Sequence, residues 1–170
     1  MVIEDGWAEA NLTSVLVPQL NRRVTIHVKA EAALVALFAE WARLGLLGRV
    51  LTWNGSWVPR FKRQAGTAAE RATKCRLLGA QALSNHAWGT AFDVNAKWNG
   101  LGRAPAPAGT TGSVVELVAA AEMLGWFWGG RFRTRPDGMH FEYVGAAAPS
   151  ERMAAGTKPP APPATPTAAK

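Results

Sequence analysis

Cysteine is nearly absent from this sequence, and histidine and tyrosine are scarce: one, three and one residues respectively in a chain of 170. A single cysteine excludes an internal disulfide framework and a cysteine-cage zinc site, so Cys75 reads as a buried or free thiol and the redox compartment stays open. No apolar run approaches the roughly 18 residues that a membrane-spanning helix needs. Glu4 and Asp5 stand where a secretory leader would be basic, so the expectation is a soluble chain without a signal peptide, made in the cytoplasm. Acidic residues are also few, twelve against nineteen Lys and Arg, for a net charge of +7. That excess points to a polyanionic partner: nucleic acid, an acidic membrane face, or a cell wall carrying phosphate and carboxylate.

What is present suits one compact domain. Apolar residues make up 48% and charged residues 18%, ordinary for a soluble globule, while eight tryptophans are unusual. A chain of this length can bury about two-thirds of its unfolded surface. From about Ala146 the composition turns to Ala, Pro and Thr. The reading is therefore a domain over 1–145 and a disordered tail or linker stub over 146–170.

Periodicity supplies the elements. "RRVTIHVK" (22–29) alternates like a strand, and residues 30–48 repeat apolar side chains at helical spacing, with Leu34, Leu37, Phe38 and Trp41 on the buried face and Gly45 and Gly48 as the stop. "RVLTWNGSWVPRF" (49–61) reads as a strand broken by the turn signal Asn54-Gly55. A short helix is predicted within 66–80, a half-buried strand over 90–95, a Gly/Pro-rich loop over 99–112, and a final strand over 139–144. Ser113 and Glu116 have the spacing of a capping box for the helix that Gly125 stops. The sum is an α+β fold.

The scarce histidines carry the chemistry. A hydrolytic zinc site needs three ligands from His, Asp, Glu or Cys, an open position, and a nearby carboxylate to take a proton from water. "SNHAWGTAFDVN" (84–95) offers His86 and Asp93, and "RTRPDGMHFEY" (133–143) offers His140 with Asp137 three residues earlier. His27 alternates with Ile26 and Val28 and has no carboxylate near it, so it reads as structural. Glu142 falls on the face of His140 if 139–144 is a strand, as an alternative base or as a supporting carboxylate. Trp88 and Trp128 are candidates for an apolar substrate wall, with core packing the plainer role for both. Gly129 and Gly130 would let backbone approach an extended peptide. Basic residues between Arg60 and Arg76, with Arg131, Arg133 and Arg135, flank both halves of the candidate site and favour an anionic substrate.

Ser84, His86, Gly89, Ala91 and Asp93 match the Ser-x-His-x-x-Gly-x-Ala-x-Asp signature of the M15 zinc peptidases, and the sequence from about 24 to 144 resembles that family. These are D-alanyl-D-alanine carboxypeptidases, dipeptidases and L-alanyl-D-glutamate endopeptidases, phage endolysins among them. Asp137-Gly138-Met139-His140 resembles the family's acid-x-x-His segment. The resemblance implies a Zn2+ ion held by His86, Asp93 and His140 on a small antiparallel sheet packed against helices. It also implies Asp137 as general base, Arg60 as the contact to the substrate carboxylate or scissile carbonyl, and Ser84 beside the substrate. The stretch 63–83 is longer than the usual link between the arginine segment and the metal motif and reads as a lid or wall of the cleft. The expected function is hydrolysis of peptidoglycan stem peptides or cross-bridges by a monomeric enzyme that reaches the wall through phage lysis or another export route. No nucleic-acid partner is expected. The alternatives are a carboxypeptidase or dipeptidase acting on small D-amino-acid peptides, and a non-catalytic basic module that binds wall or nucleic acid.

Overall fold

The computed structural model describes residues 5–63 and 66–145. The expected tail over 146–170 lies outside these residues. Helices and two antiparallel sheets give an α+β fold.

The first sheet is a hairpin of β1 (Leu12–Val17) and β2 (Arg22–His27), preceded by the short helix α1 (Trp7–Asn11). Alternation buries Val15, Val17, Val24 and Ile26 on one face. Helix α2 (Val28–Arg43) follows at once, with His27 as its N-cap accepting the Lys29 N–H at 3.1 Å. Its buried stripe, Ala30, Leu34, Leu37, Phe38 and Trp41, is the one predicted from spacing, and it packs against the hairpin and α4 (Val115–Met123). Gly45, at φ 70°, takes the left-handed turn that ends the helix.

The second sheet runs in the order β3 (Trp53–Gly55), β4 (Ala91–Val94), β6 (His140–Tyr143), β5 (Trp126–Trp128), all neighbours antiparallel. Phe92 centres the core, stacked on Trp53 and Phe141 at 5.3 Å each and met edge-on by Trp126 at 4.9 Å. Burying such side chains contributes about 1.5–3 kcal/mol each. With a side-chain period of two, Phe92 and Val94 facing the core put Asp93 on the opposite face.

Three expectations are corrected. The strand at 90–95 is not half-buried: Ala91 through Val94 are all buried, because the metal-ligand face is covered as well as the core face. Asn54-Gly55 does not interrupt the strand with a turn but lies within β3, at a bulge-like register shift, with Trp53 opposite Val94 and Gly55 opposite Asp93. Gly55 adopts φ 120° there, and the Asn54 carboxamide oxygen accepts the Ala96 N–H at 3.0 Å. At α4 the expected capping box does not form: Val114 is the N-cap and has no side-chain cap bond, and the Ser113 N–H donates to the Thr110 carbonyl instead. Ser113 Oγ accepts the Val115 N–H at 3.2 Å and donates to Glu116, whose carboxylate takes the Gly109 N–H at 2.7 Å and lies 3.2 Å from Arg49. A complete box belongs to α3 (Ala68–Leu78), where Thr67 and Glu70 cap each other. Strands β1 and β5 were not anticipated. Among the described residues no helix is long and apolar enough to cross a membrane.

Candidate metal centre

His86 sits on a 3-10 turn, Asn85–Trp88, whose first N–H groups need a partner. Ser84 supplies it, its hydroxyl accepting from the His86 N–H at 3.4 Å. The turn ends at Gly89, at φ 67°, where a Cβ would lie 2.7 Å from Leu12 and 3.0 Å from the His27 nitrogen. Only glycine passes so close to the hairpin, which is the physical content of that motif position.

Strand register supplies the other two residues. Asp93 and His140 are direct cross-strand partners on β4 and β6. His86 Nε2, His140 Nδ1 and Asp93 Oδ1 stand 3.1 Å from one another in all three pairings. All three residues are buried, and together they form a group that could hold a metal ion.

The partners behind the rings decide which nitrogens face inward. His86 Nδ1 lies 2.6 Å from the Ser56 carbonyl, which can only accept, so Nδ1 carries the hydrogen and Nε2 presents its lone pair. His140 Nε2 lies 3.1 Å from Glu142 Oε2, so by the same reasoning His140 presents Nδ1. Asn85 Nδ2 holds Glu142 in place at 2.6 Å. Carbonyl–histidine and carboxylate–histidine pairs of this kind orient metal ligands.

With both rings neutral, three acceptors converge with no donor among them, an arrangement that calls for positive charge at its centre, as a proton or as a metal ion. Burial opposes the charge of Asp93, yet hydrogen bonds from His140 and His86 hold its carboxyl far below the usual range. Burial likewise opposes a charged His140, but Asp93 and Glu142 outweigh it and push the imidazole up to about 9, the same demand for positive charge met by a proton on the ring. Two imidazoles and one carboxylate are the donor set of a hydrolytic zinc site with an open fourth position, so the residues fit that ion.

Asp137 lies on the turn leading into β6. Burial raises its pKa, the histidines and Arg60 lower it, and Asp93 raises it further, with the sum above the ordinary carboxylate value. Its Oδ1 is buried and makes no hydrogen bond among the described residues. The Asp137 N–H donates to the Gly129 carbonyl at 2.9 Å, and a Cβ on Gly129 would lie 2.7 Å from the Asp137 carbonyl oxygen. Gly129 thus lets the turn close on β5.

Arg60 is partly exposed, close enough for its charge to act on Asp137, and its carbonyl accepts the Ser84 N–H at 3.0 Å. Ser84 is buried as the cap of the His86 turn. Trp88 lies edge-on against Trp7 at 5.6 Å. Trp128 packs against the core and donates from Nε1 to the Gly138 carbonyl at 2.8 Å, securing the Asp137 turn. Glu142 stands behind His140, held there by Asn85. Sequence reasoning missed two residues. Asn85 sits inside the quoted motif as a polar residue beside a ligand. The Ser56 carbonyl has no signature in sequence, because every residue carries a backbone carbonyl.

Glu142→Gln is expected to weaken zinc binding by about 10–100-fold, the usual effect of losing a ligand's supporting partner. Zinc titration against a competing chelator measures this, and unchanged affinity would show that His140 needs no carboxylate to orient it.

Comparison with known families is consistent with this geometry. Residues 78–143 match the model of a D-alanyl-D-alanine carboxypeptidase family of M15 peptidases. The matched stretch contains the three converging residues, Asp137 and Glu142. No curated protein and no solved structure matches the chain.

Proposed function

We propose that this chain, assigned to the M15 peptidases through residues 78–143, is a zinc-dependent, monomeric peptidase that hydrolyses amide bonds in the peptides of bacterial peptidoglycan. The convergence of His86 Nε2, Asp93 Oδ1 and His140 Nδ1, three atoms that can each ligate a metal ion when the rings are neutral, carries the reading. A zinc ion held there would acidify water and polarise a carbonyl. Asp137, with a buried carboxylate oxygen lacking a hydrogen-bond partner among the described residues, takes the proton of the attacking water. It then delivers that proton to the leaving amine nitrogen as the C–N bond breaks. Arg60 supplies positive charge toward the substrate carbonyl or a terminal carboxylate. Ser84 and Glu142 act through the histidines they hold, and Trp128 through the Asp137 turn.

A second reading, removal of terminal D-alanine from small peptides, draws support from the description of the matched family. Mass spectrometry of peptidoglycan and soluble stem peptides treated with the zinc-loaded protein separates the two. New internal termini are expected, and release of free D-alanine alone would favour the carboxypeptidase. Absence of any cleavage by zinc-loaded protein would leave a non-catalytic basic module.

A further inference from the structure

A cavity of about 790 Å³ is lined by Lys62, Arg63, Arg71, Arg76 and Arg135, with Phe61, Ala72 and Cys75 as its apolar part. Its position follows from how the segment 63–81 is tied down. Phe61 bridges to Leu83, the Lys62 N–H donates to the Ala82 carbonyl at 2.7 Å, and the Ser84 N–H donates to Arg60. Both ends of the excursion are thereby pinned at the entrance to the His86 turn. Arg135 Nη1 donates to the Arg63 carbonyl at 2.7 Å, joining the excursion to the loop that carries Asp137 two residues later. Lys62 acts electrostatically on Glu142, the carboxylate behind His140.

The cavity holds five cations and no acid among its lining residues. None of the five is in an ion pair among the described residues. Glu70, the acid on the same helix, is turned to the Thr67 cap. Gathering like charges costs stability, and an anion of matching charge relieves it. Arginine binds oxyanions in pairs of hydrogen bonds, which suits carboxylates. The apolar part of the lining favours a ligand with methyl or methylene groups between its charges.

We propose that this cavity is a second subsite, which binds the carboxylate-bearing part of an acidic peptide whose scissile bond lies at the metal cluster. The proposal rests on the peptidase reading above and narrows its substrate class to peptides with at least two carboxylates.

Arg71 and Arg76 are exposed on α3, outside the metal cluster. Arg71→Gln/Arg76→Gln is therefore expected to fold and bind zinc as the wild type does. With a dicarboxylate peptide its KM should rise about tenfold or more with kcat unchanged, on the strength of lost charge-assisted hydrogen bonds. The same peptide with its carboxylates amidated should show equal KM for both proteins. Equal KM changes on both peptides, or none, would overturn the subsite.

A second readout needs no turnover. Cys75 is the chain's single cysteine and is partly exposed in the cavity. The dicarboxylate peptide should slow its alkylation by neutral iodoacetamide in the wild type and not in the double variant. If the protein lacks peptidase activity but this protection is seen, the subsite stands and the peptidase reading fails. Protection by inorganic phosphate or a phosphodiester polymer, without protection by the peptide, would overturn the acidic-peptide assignment.

Discussion

His140→Ala should bind far less than one zinc per chain and lose hydrolysis to background, whereas the wild type binds about one, as expected for a site of three protein ligands and one open position. The substitution removes one of three converging acceptors. It also leaves the carboxylates of Asp93 and Glu142 on either side of an empty volume, without the imidazole that hydrogen-bonds both. His86→Ala should behave alike, since Nε2 and the link to the Ser56 carbonyl disappear together. Elemental analysis gives the stoichiometry, and thermal unfolding with and without a chelator gives the coupling. Metal that binds only the folded chain stabilises it, so chelation should lower the wild-type Tm and leave that of either variant unmoved. Full wall hydrolysis by His86→Ala or His140→Ala would remove these residues from the mechanism.

Asp137→Asn should keep the fold and the zinc while kcat falls by about 10² to 10⁴, the usual contribution of a general base. The amide is nearly isosteric, and the backbone bonds that shape the turn, Asp137 N–H to Gly129 and His140 N–H to Asp137 at 3.1 Å, do not involve the side chain. What is lost is the ability to accept a proton. Glu142→Gln provides the contrast, because its effect should fall on zinc affinity and be recovered in part at saturating zinc. If Asp137→Asn turns over normally while Glu142→Gln is inactive with zinc bound, the base is Glu142. If Asp137→Asn loses its zinc, the ligand set has to be redrawn.

Much of this site was legible in one dimension because the motif residues are local. Ser84, His86 and Gly89 belong to one turn, so the spacing of cap, ligand and left-handed glycine is a property of that segment. Strand periodicity placed Glu142 on the face of His140, and the structure puts it against the ring. The helical stripe from Leu34 to Trp41 was readable for the same reason. Strand β5 was not, since "WFW" is too short for its alternation to be told from any other apolar run. Strand β1 and the bulge at Gly55 are set by the partners they meet, and the identity of Asn54-Gly55 is equally compatible with a hairpin turn.

By itself the sequence determined the donor types, the absence of any cysteine alternative, the basic charge and the amphipathic faces, all consequences of side-chain chemistry and short-range geometry. The tertiary structure alone decided that Asp93 pairs with His140, 47 positions away, that the Ser56 carbonyl selects the tautomer of His86, and that the excursion at 63–81 folds its arginines into a cavity beside the Asp137 loop. Each of these depends on which strand or loop lies next to which. That choice is made by burying Phe92, Trp126 and Phe141 in a shared core, a cooperative outcome of the whole chain that no local pattern encodes.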